Sequence, residues 1–280
     1  MKKILTIIVP ILSAFILNSC QKDMVFDLYG DSFKIYYTTV DGRIISLNNA
    51  FSREIISHTY ENGQGVIITN EAIKEIVESC FQGRIELTSI TIPDSVTSIG
   101  HSAFNGCSSL TNITIPNRVT WIGRYTFRNC SSLINITIPN SVAWIGDYAF
   151  RGCENLTSVT IGNSVTEIGE FAFASCNSLT SITIPDSVTS IGEGAFYYCS
   201  SLTSVTIGNS VTSIGEYAFC GCSSLTSVYC KPTTPPAGAD HMFSGNASNR
   251  KIYVPHNSVE AYKSASYWSD YKSYIVGYDF

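Results

Sequence analysis

A 23-residue period constrains this chain more than any other feature. The stretch Leu87 to Ser109, LTSITIPDSVTSIGHSAFNGCSS, returns in register at Leu110, Leu133, Leu156, Leu179 and Leu202, with no insertion between 87 and 224. A repeat of this length specifies a solenoid, in which each unit contacts mainly its neighbours. The fold class that follows is a β-rich solenoid of the α/β repeat type. It has short strands, short helical or 3₁₀ turns, a β-rich N-terminal cap and a mixed C-terminal cap.

Within the unit, Leu87, Ile90 and Ile92 mark a short strand whose apolar side chains point inward while Ser89 and Thr91 point out. Pro93-Asp94-Ser95 turns the chain, and two copies place Gly162-Asn163 and Gly208-Asn209 at the same corner. Val96 and Ile99 form a second inward pair. Gly100, present in all six units, calls for either a positive φ or a close backbone approach. Ala103-Phe104 opens a short helical or 3₁₀ turn that Cys107 ends. One such coil buries too little apolar surface to offset the entropy of ordering it, so stability must come from stacking.

The flanks differ. A strand is expected over Phe33–Thr39, a hairpin turn at Asp41-Gly42, and a returning strand over Arg43–Leu47. Glu54–Tyr60 and Val66–Thr69 flank Asn62-Gly63 as a second hairpin. Ile73, Ile76, Cys80 and Phe81 lie 23 residues before Val96, Ile99, Ala103 and Phe104, which makes 64–86 a degenerate coil. After the repeats, Leu225–Val228 starts a seventh strand, and Lys231-Pro-Thr-Thr-Pro-Pro-Ala-Gly abandons the pattern. Lys251–Pro255 reads as a strand, and Asn257-Ser-Val-Glu260 as a capping box for a helix through Tyr267. Val259, Tyr262 and Trp268 are expected to close over the last coil. The organisation expected is leader 1–19, N-terminal cap 20–63, solenoid 64–228 and C-terminal cap 229–280.

Lys2-Lys3, an apolar run from Ile4 to Leu17, and Leu17-Asn18-Ser19-Cys20 have the layout of an export signal. The run is too short to span a bilayer. An ordinary cleaved signal peptide is one reading. Cys20 after Leu-Asn-Ser resembles a bacterial lipobox, which implies lipidation of Cys20 and a tether to the outer membrane at the cell surface. Without Lys2 and Lys3 the chain keeps 15 basic against 22 acidic residues. It therefore offers no electrostatic footprint for nucleic acid, and its only expected hold on a membrane is the lipid.

Cys107, Cys130, Cys153, Cys176, Cys199 and Cys222 recur at the same period and so form one column. A disulfide framework, a metal ladder and a column of buried thiols are the three readings. Nine cysteines besides Cys20 cannot all pair, and no histidine or CxxC spacing supports a metal, so buried thiols are expected, with a Cys220–Cys230 bond the remaining possibility. His58, His101, His241 and His256 are scattered, with His101 at a solvated slot. No catalytic constellation, metal site or cofactor loop assembles from the fixed residues.

Specificity must then lie in the slots that change. One column reads Ser98, Trp121, Trp144, Glu167, Ser190, Ser213; the next Ser102, Tyr125, Tyr148, Phe171, Gly194, Tyr217; a third Asn105, Arg128, Arg151, Ala174, Tyr197, Cys220. Trp121, Trp144, Tyr125, Tyr148, Arg128 and Arg151 are residue types that anchor interfaces, stacked about 4.8 Å apart in neighbouring coils. They form a candidate ligand patch; drift at solvent-facing slots, with the aromatics shielding the core, is the competing explanation.

The unit L-T-S-V-T-I-P-x-S-V-T-x-I-G-x-x-A-F-x-x-C-x-S resembles the BspA-like leucine-rich repeat family of bacterial surface proteins. The likeness covers 64–228 and extends to the flanks IYYTTVDGRIISL and KIYVPHNSVEAYKSASYW. It implies a right-handed leucine-rich-repeat coil, displayed on a cell surface for adhesion or protein binding, and it carries over no catalytic residue. A monomeric, non-enzymatic module that binds a protein of a host or neighbouring cell is the expected function. A glycan-binding lectin and a passive display scaffold are the alternatives.

Overall fold

The computed structural model describes residues 30–48 and 53–280. The leader and Cys20 lie outside the described residues. The chain begins with β1 (Lys34–Thr39), β2 (Ile55–Glu61) and β3 (Gln64–Thr69). Strands then alternate between two sides of the coil: β4 (Glu75–Ile76), β5 (Leu87–Thr91), β6 (Ser98–Ile99), β7 (Asn112–Ile113), β8 (Trp121–Ile122), β9 (Asn135–Ile138), β10 (Trp144–Ile145), β11 (Ser158–Ile161), β12 (Glu167–Ile168), β13 (Ser181–Ile184), β14 (Ser190–Ile191), β15 (Ser204–Ile207), β16 (Ser213–Ile214) and β17 (Ser227–Cys230). The even-numbered short strands from β4 to β16 make one continuous sheet in coil order. Each neighbour pairs parallel and in register, as Trp144 does with Trp121 and Glu167. The odd-numbered strands line the other side in three hydrogen-bonded segments. Alternation along them follows the sequence: in Asn135–Ile138 the isoleucines are buried and the polar residues exposed.

The entry cap departs from expectation in two ways. The β2–β3 hairpin forms, with Glu61 opposite Gln64 and positive φ at Asn62 and Gly63 as a type I′ turn requires. Arg43–Leu47, however, is not a strand. Both edges of β1 are already occupied, by β3 on one side and β5 on the other, and both pairings are antiparallel. For the same reason β3 does not take the strand position of the degenerate coil; β1 stands between it and β5. The coil pattern resumes at β4, which pairs with β6.

The segment after each short strand is not the helical or 3₁₀ turn expected. Isolated turns close through Ala103 N to Gly100 O (3.3 Å), Asn105 N to Ser102 O (3.0 Å) and Cys107 N to Phe104 O (3.1 Å). Ser102 (φ 55°) and Gly106 (φ 77°) interrupt them in the left-handed region. The intervening N–H groups point along the stack instead: Ser102, Phe104 and Gly106 donate to Arg124, Thr126 and Arg128 carbonyls at 2.9, 2.9 and 2.7 Å. A continuous 3₁₀ turn would spend those donors within its own coil. The left-handed residues release them to the next coil and so add a third ladder.

Phe81, Phe104, Phe127, Phe150, Phe173, Phe196, Phe219 and Phe243 stack as a file of rings with centroids 5.1–5.4 Å apart. Beside them each repeat cysteine is buried, and its thiol donates to the Phe carbonyl of the coil before, at 3.0–3.4 Å. The repeated glycine is explained by close approach and not by φ. A Cβ at Gly146 would stand 2.7 Å from Gly123 C, and one at Gly169 2.7 Å from Asp147 N.

The stack also continues past Val228. Met242-Phe243 fills the Ala-Phe slot, and Asn246 donates to Phe219 O at 2.8 Å as the cysteines do elsewhere. Strands β18 (Lys251–Pro255) and β19 (Ile275–Tyr278) extend the parallel ladder beyond β17. Between them α1 runs only from Val259 to Ser264. The capping box does not form: Ser258 bonds the Thr233 carbonyl (2.7 Å), which ties the helix start to the preceding loop. Tyr262 and Trp268 are fully buried, their polar tips on the carbonyls of Pro232 and Pro236 at 2.8 Å, so the proline-rich loop is bound down by the aromatic cap.

Candidate binding surface

The changing slots fall on the short-strand side of the stack and the turn after it. Trp121 and Trp144 occupy β8 and β10 as direct partners, both half-buried. The Trp121 ring lies 5.6 Å from His101, whose Nδ1 accepts the Arg124 N–H at 2.8 Å. His101 is thus no bare solvated position; it holds the next coil. Asp147 plays the same part for Glu170 N at 3.0 Å and also receives Arg124 at 2.8 Å.

Tyr125 and Tyr148 lie one turn further along each coil, with ring centroids 5.1 Å apart, and Phe171 continues the file at 5.3 Å. Arg128 sits 5.7 Å over the Tyr125 ring and Arg151 5.6 Å over Tyr148, each within cation–π range. Partial burial, then the neighbouring Tyr125 and Glu170, push the Tyr148 phenol above its ordinary value. The backbone here is unusual. Tyr125 and Tyr148 both have φ 58°, a left-handed conformation that bulky residues rarely take. Gly194 fills the same slot without strain, so the tyrosines occupy it against a local preference of ~1–2 kcal/mol each.

The six patch residues therefore gather as two files, Trp121–Trp144 on the sheet and the Tyr–Arg ladder on the turn. Arg124, through its bond to Asp147, links them. The sequence pattern left Arg118 and Arg124 out of the patch and placed His101 at a solvated slot. Yet Arg118, Arg124, Arg128 and Arg151 are the only Lys or Arg residues of the six regular units, all within the second and third.

The six thiols of the column are free and buried. Burial pushes Cys107 and Cys153 up to about 12. Cys220 and Cys230 are both free: Cys230 is buried with its sulfur 3.4 Å from the Tyr262 hydroxyl, while Cys220 stands half-exposed on the turn. The Cys220–Cys230 bond is not formed.

The profile of the BspA type leucine rich repeat region matches residues 74–201 and 143–273, in 6 copies. The chain belongs to this family. That the match runs beyond Val228 agrees with the ladder through β18. Among solved structures, the BspA-type stack resembles the leucine rich repeat protein of T. pallidum, with 25% identity over 69% of this chain and 86% of that one and a TM-score of 0.53. A leucine-rich repeat protein from Bacteroides ovatus is 22% identical over 85% of this chain and 99% of its own, at a TM-score of 0.32. No curated protein matches the chain.

Proposed function

We propose that this BspA-type solenoid is a non-catalytic surface module, exported and lipid-anchored through Cys20 at the outer membrane, that binds a protein of a host or neighbouring cell. Binding falls to Trp121, Trp144, Tyr125, Tyr148, Arg128 and Arg151 on a monomeric stack. One observation carries this reading: every lysine and arginine and both tryptophans of the regular units concentrate in two adjacent coils. Drift at solvent-facing slots would scatter such residues along the stack. Trp and Arg anchors of this kind contribute about 2 kcal/mol or more when buried at an interface, roughly 30-fold in affinity.

The test is an unbiased pulldown with residues 21–280, repeated with Trp121→Ala/Trp144→Ala. A protein captured by the native chain and lost by the variant supports the reading. Equal capture by both removes the patch. Enrichment on a glycan array with no protein captured replaces a protein ligand by a sugar.

A further inference from the structure

Next to the tryptophan pair, the short-strand sheet carries an open trough of ≈ 550 Å³ that crosses β10, β12, β14 and β16. Trp144 and the Arg124–Asp147 pair stand at one end, and Gly169, Gly192 and Gly215 line it. Glu167, Glu170 and Glu193 complete its wall, all three exposed.

The charges there are not balanced. Arg124 neutralises Asp147 at 2.8 Å, but among the described residues no Lys or Arg forms an ion pair with Glu167, Glu170 or Glu193. No basic residue occurs between Arg151 and Lys231, a span that holds Glu154, Glu167, Glu170, Asp186, Glu193 and Glu216. Glu170 and Glu193 occupy the same slot of the turn after the short strand in adjacent coils, where their like charges repel. The fold does not need them: the first unit has Ser98 and His101 in these two slots.

The geometry points to this trough as the seat of an extended lysine- or arginine-rich stretch of the protein partner, an inference that rests on the protein-binding reading. Four strands about 4.8 Å apart span about 14 Å, the length of roughly four extended residues. The carboxylates meet the cations, and the Trp144 face takes one of them in a cation–π contact. A neutral sugar fits less well. Ionised carboxylates only accept hydrogen bonds, and three together would keep their charge uncompensated.

Fluorescein-labelled tetra-arginine, followed by anisotropy against a tetraglycine control, tests this on residues 21–280. Expected is salt-sensitive binding of tetra-arginine alone, weakened about tenfold or more in E167Q/E170Q/E193Q, where each pair removed is worth roughly two- to fivefold. Trp144→Ala should weaken it about two- to fivefold. D41N/E54Q/D94N removes the same charge elsewhere and should change it by less than about twofold. Circular dichroism melts confirm that each variant is folded.

No binding, undiminished binding in the glutamine triple, or an equal loss in the control triple would overturn the assignment. If the glutamine triple loses tetra-arginine yet captures the protein ligand at the native level, the trough is not that ligand's seat, while the protein-binding reading stands. If the native chain captures no protein, that reading fails and this one with it.

Discussion

Gly169→Ala tests the physical basis of the stack at a single atom. The new Cβ would stand 2.7 Å from Asp147 N and 2.8 Å from Gly146 C, both backbone atoms of the preceding coil. Relief to an ordinary contact requires the coils to part by ~0.7 Å, since carbon contacts favour about 3.5 Å. The same movement stretches the bond from Gly169 N to Ile145 O, now 2.8 Å, towards the end of the useful range. A weakened hydrogen bond (~1 kcal/mol) and overpacking (~1–3 kcal/mol) together predict a loss of about 2–4 kcal/mol. Urea unfolding by tryptophan fluorescence reads it directly, because Trp121 and Trp144 report the centre and Trp268 the cap. Gly30→Ala is the control: its Cβ meets nothing within 4 Å, and no change is expected. A Gly169→Ala chain within about 0.5 kcal/mol of the native one would refute close approach as the reason for the glycine column.

Other expectations follow from the same geometry. Tyr148→Gly relieves left-handed strain of ~1–2 kcal/mol and gives up two ring contacts of ~0.5–1.5 kcal/mol each, so its urea midpoint should correspond to within about 1 kcal/mol of native. Tyr148→Val keeps the strain without the rings and should lose about 2 kcal/mol. Burial holds the thiols of Cys80, Cys107, Cys153 and Cys230 up to about 12. Their stabilisation is intact below the unfolded-chain value of about 8.5 and is withdrawn as pH rises towards the folded value, by ~1.4 kcal/mol per pH unit for each thiol. In alkaline melts by circular dichroism, Cys107→Ala/Cys153→Ala should therefore lose less stability than the native chain between about pH 9 and about pH 11, even though it starts lower. Burial lowers the His58 pKa, so its share of stability is lost as pH falls through that lowered value; His58→Gln should flatten the acid limb below about pH 6.

Much of this molecule can be read from its repeat. Phe104 and Cys107 recur without exception or nearly so, and a residue that must face the same residue in the next coil has little room to change. What the repeat does not announce depends on contacts between coils or on small changes in spacing. Phe243 follows Phe219 by 24 residues instead of 23, and Asn246 replaces a cysteine, so the sequence pattern breaks where the structure continues it. Alternation in Arg43–Leu47 is a sound strand signal, but β1 has no free edge for it. The left-handed position holds Ser102, Tyr125, Tyr148, Phe171 and Tyr217 as well as Gly194, most of them against their local preference, so residue type does not announce it. For the candidate surface, register alone aligned Trp121 with Trp144 and Tyr125 with Tyr148. The anchoring by His101 and the trough beside Trp144 were invisible, because both are made by side chains meeting the backbone of another coil.

The central claim is that fixed residues build the stack while the residues that differ between copies bind. A chain in which Trp121, Trp144, Tyr125, Tyr148, Arg128 and Arg151 take the first unit's residues at those slots, Ser98, Ser102 and Asn105, tests it most directly. Its affinity for the captured protein ligand is measured by titration, beside a thermal melt. The account predicts a cooperative melt with binding reduced roughly 30-fold or more; a folded variant that binds as tightly as the native chain would contradict it.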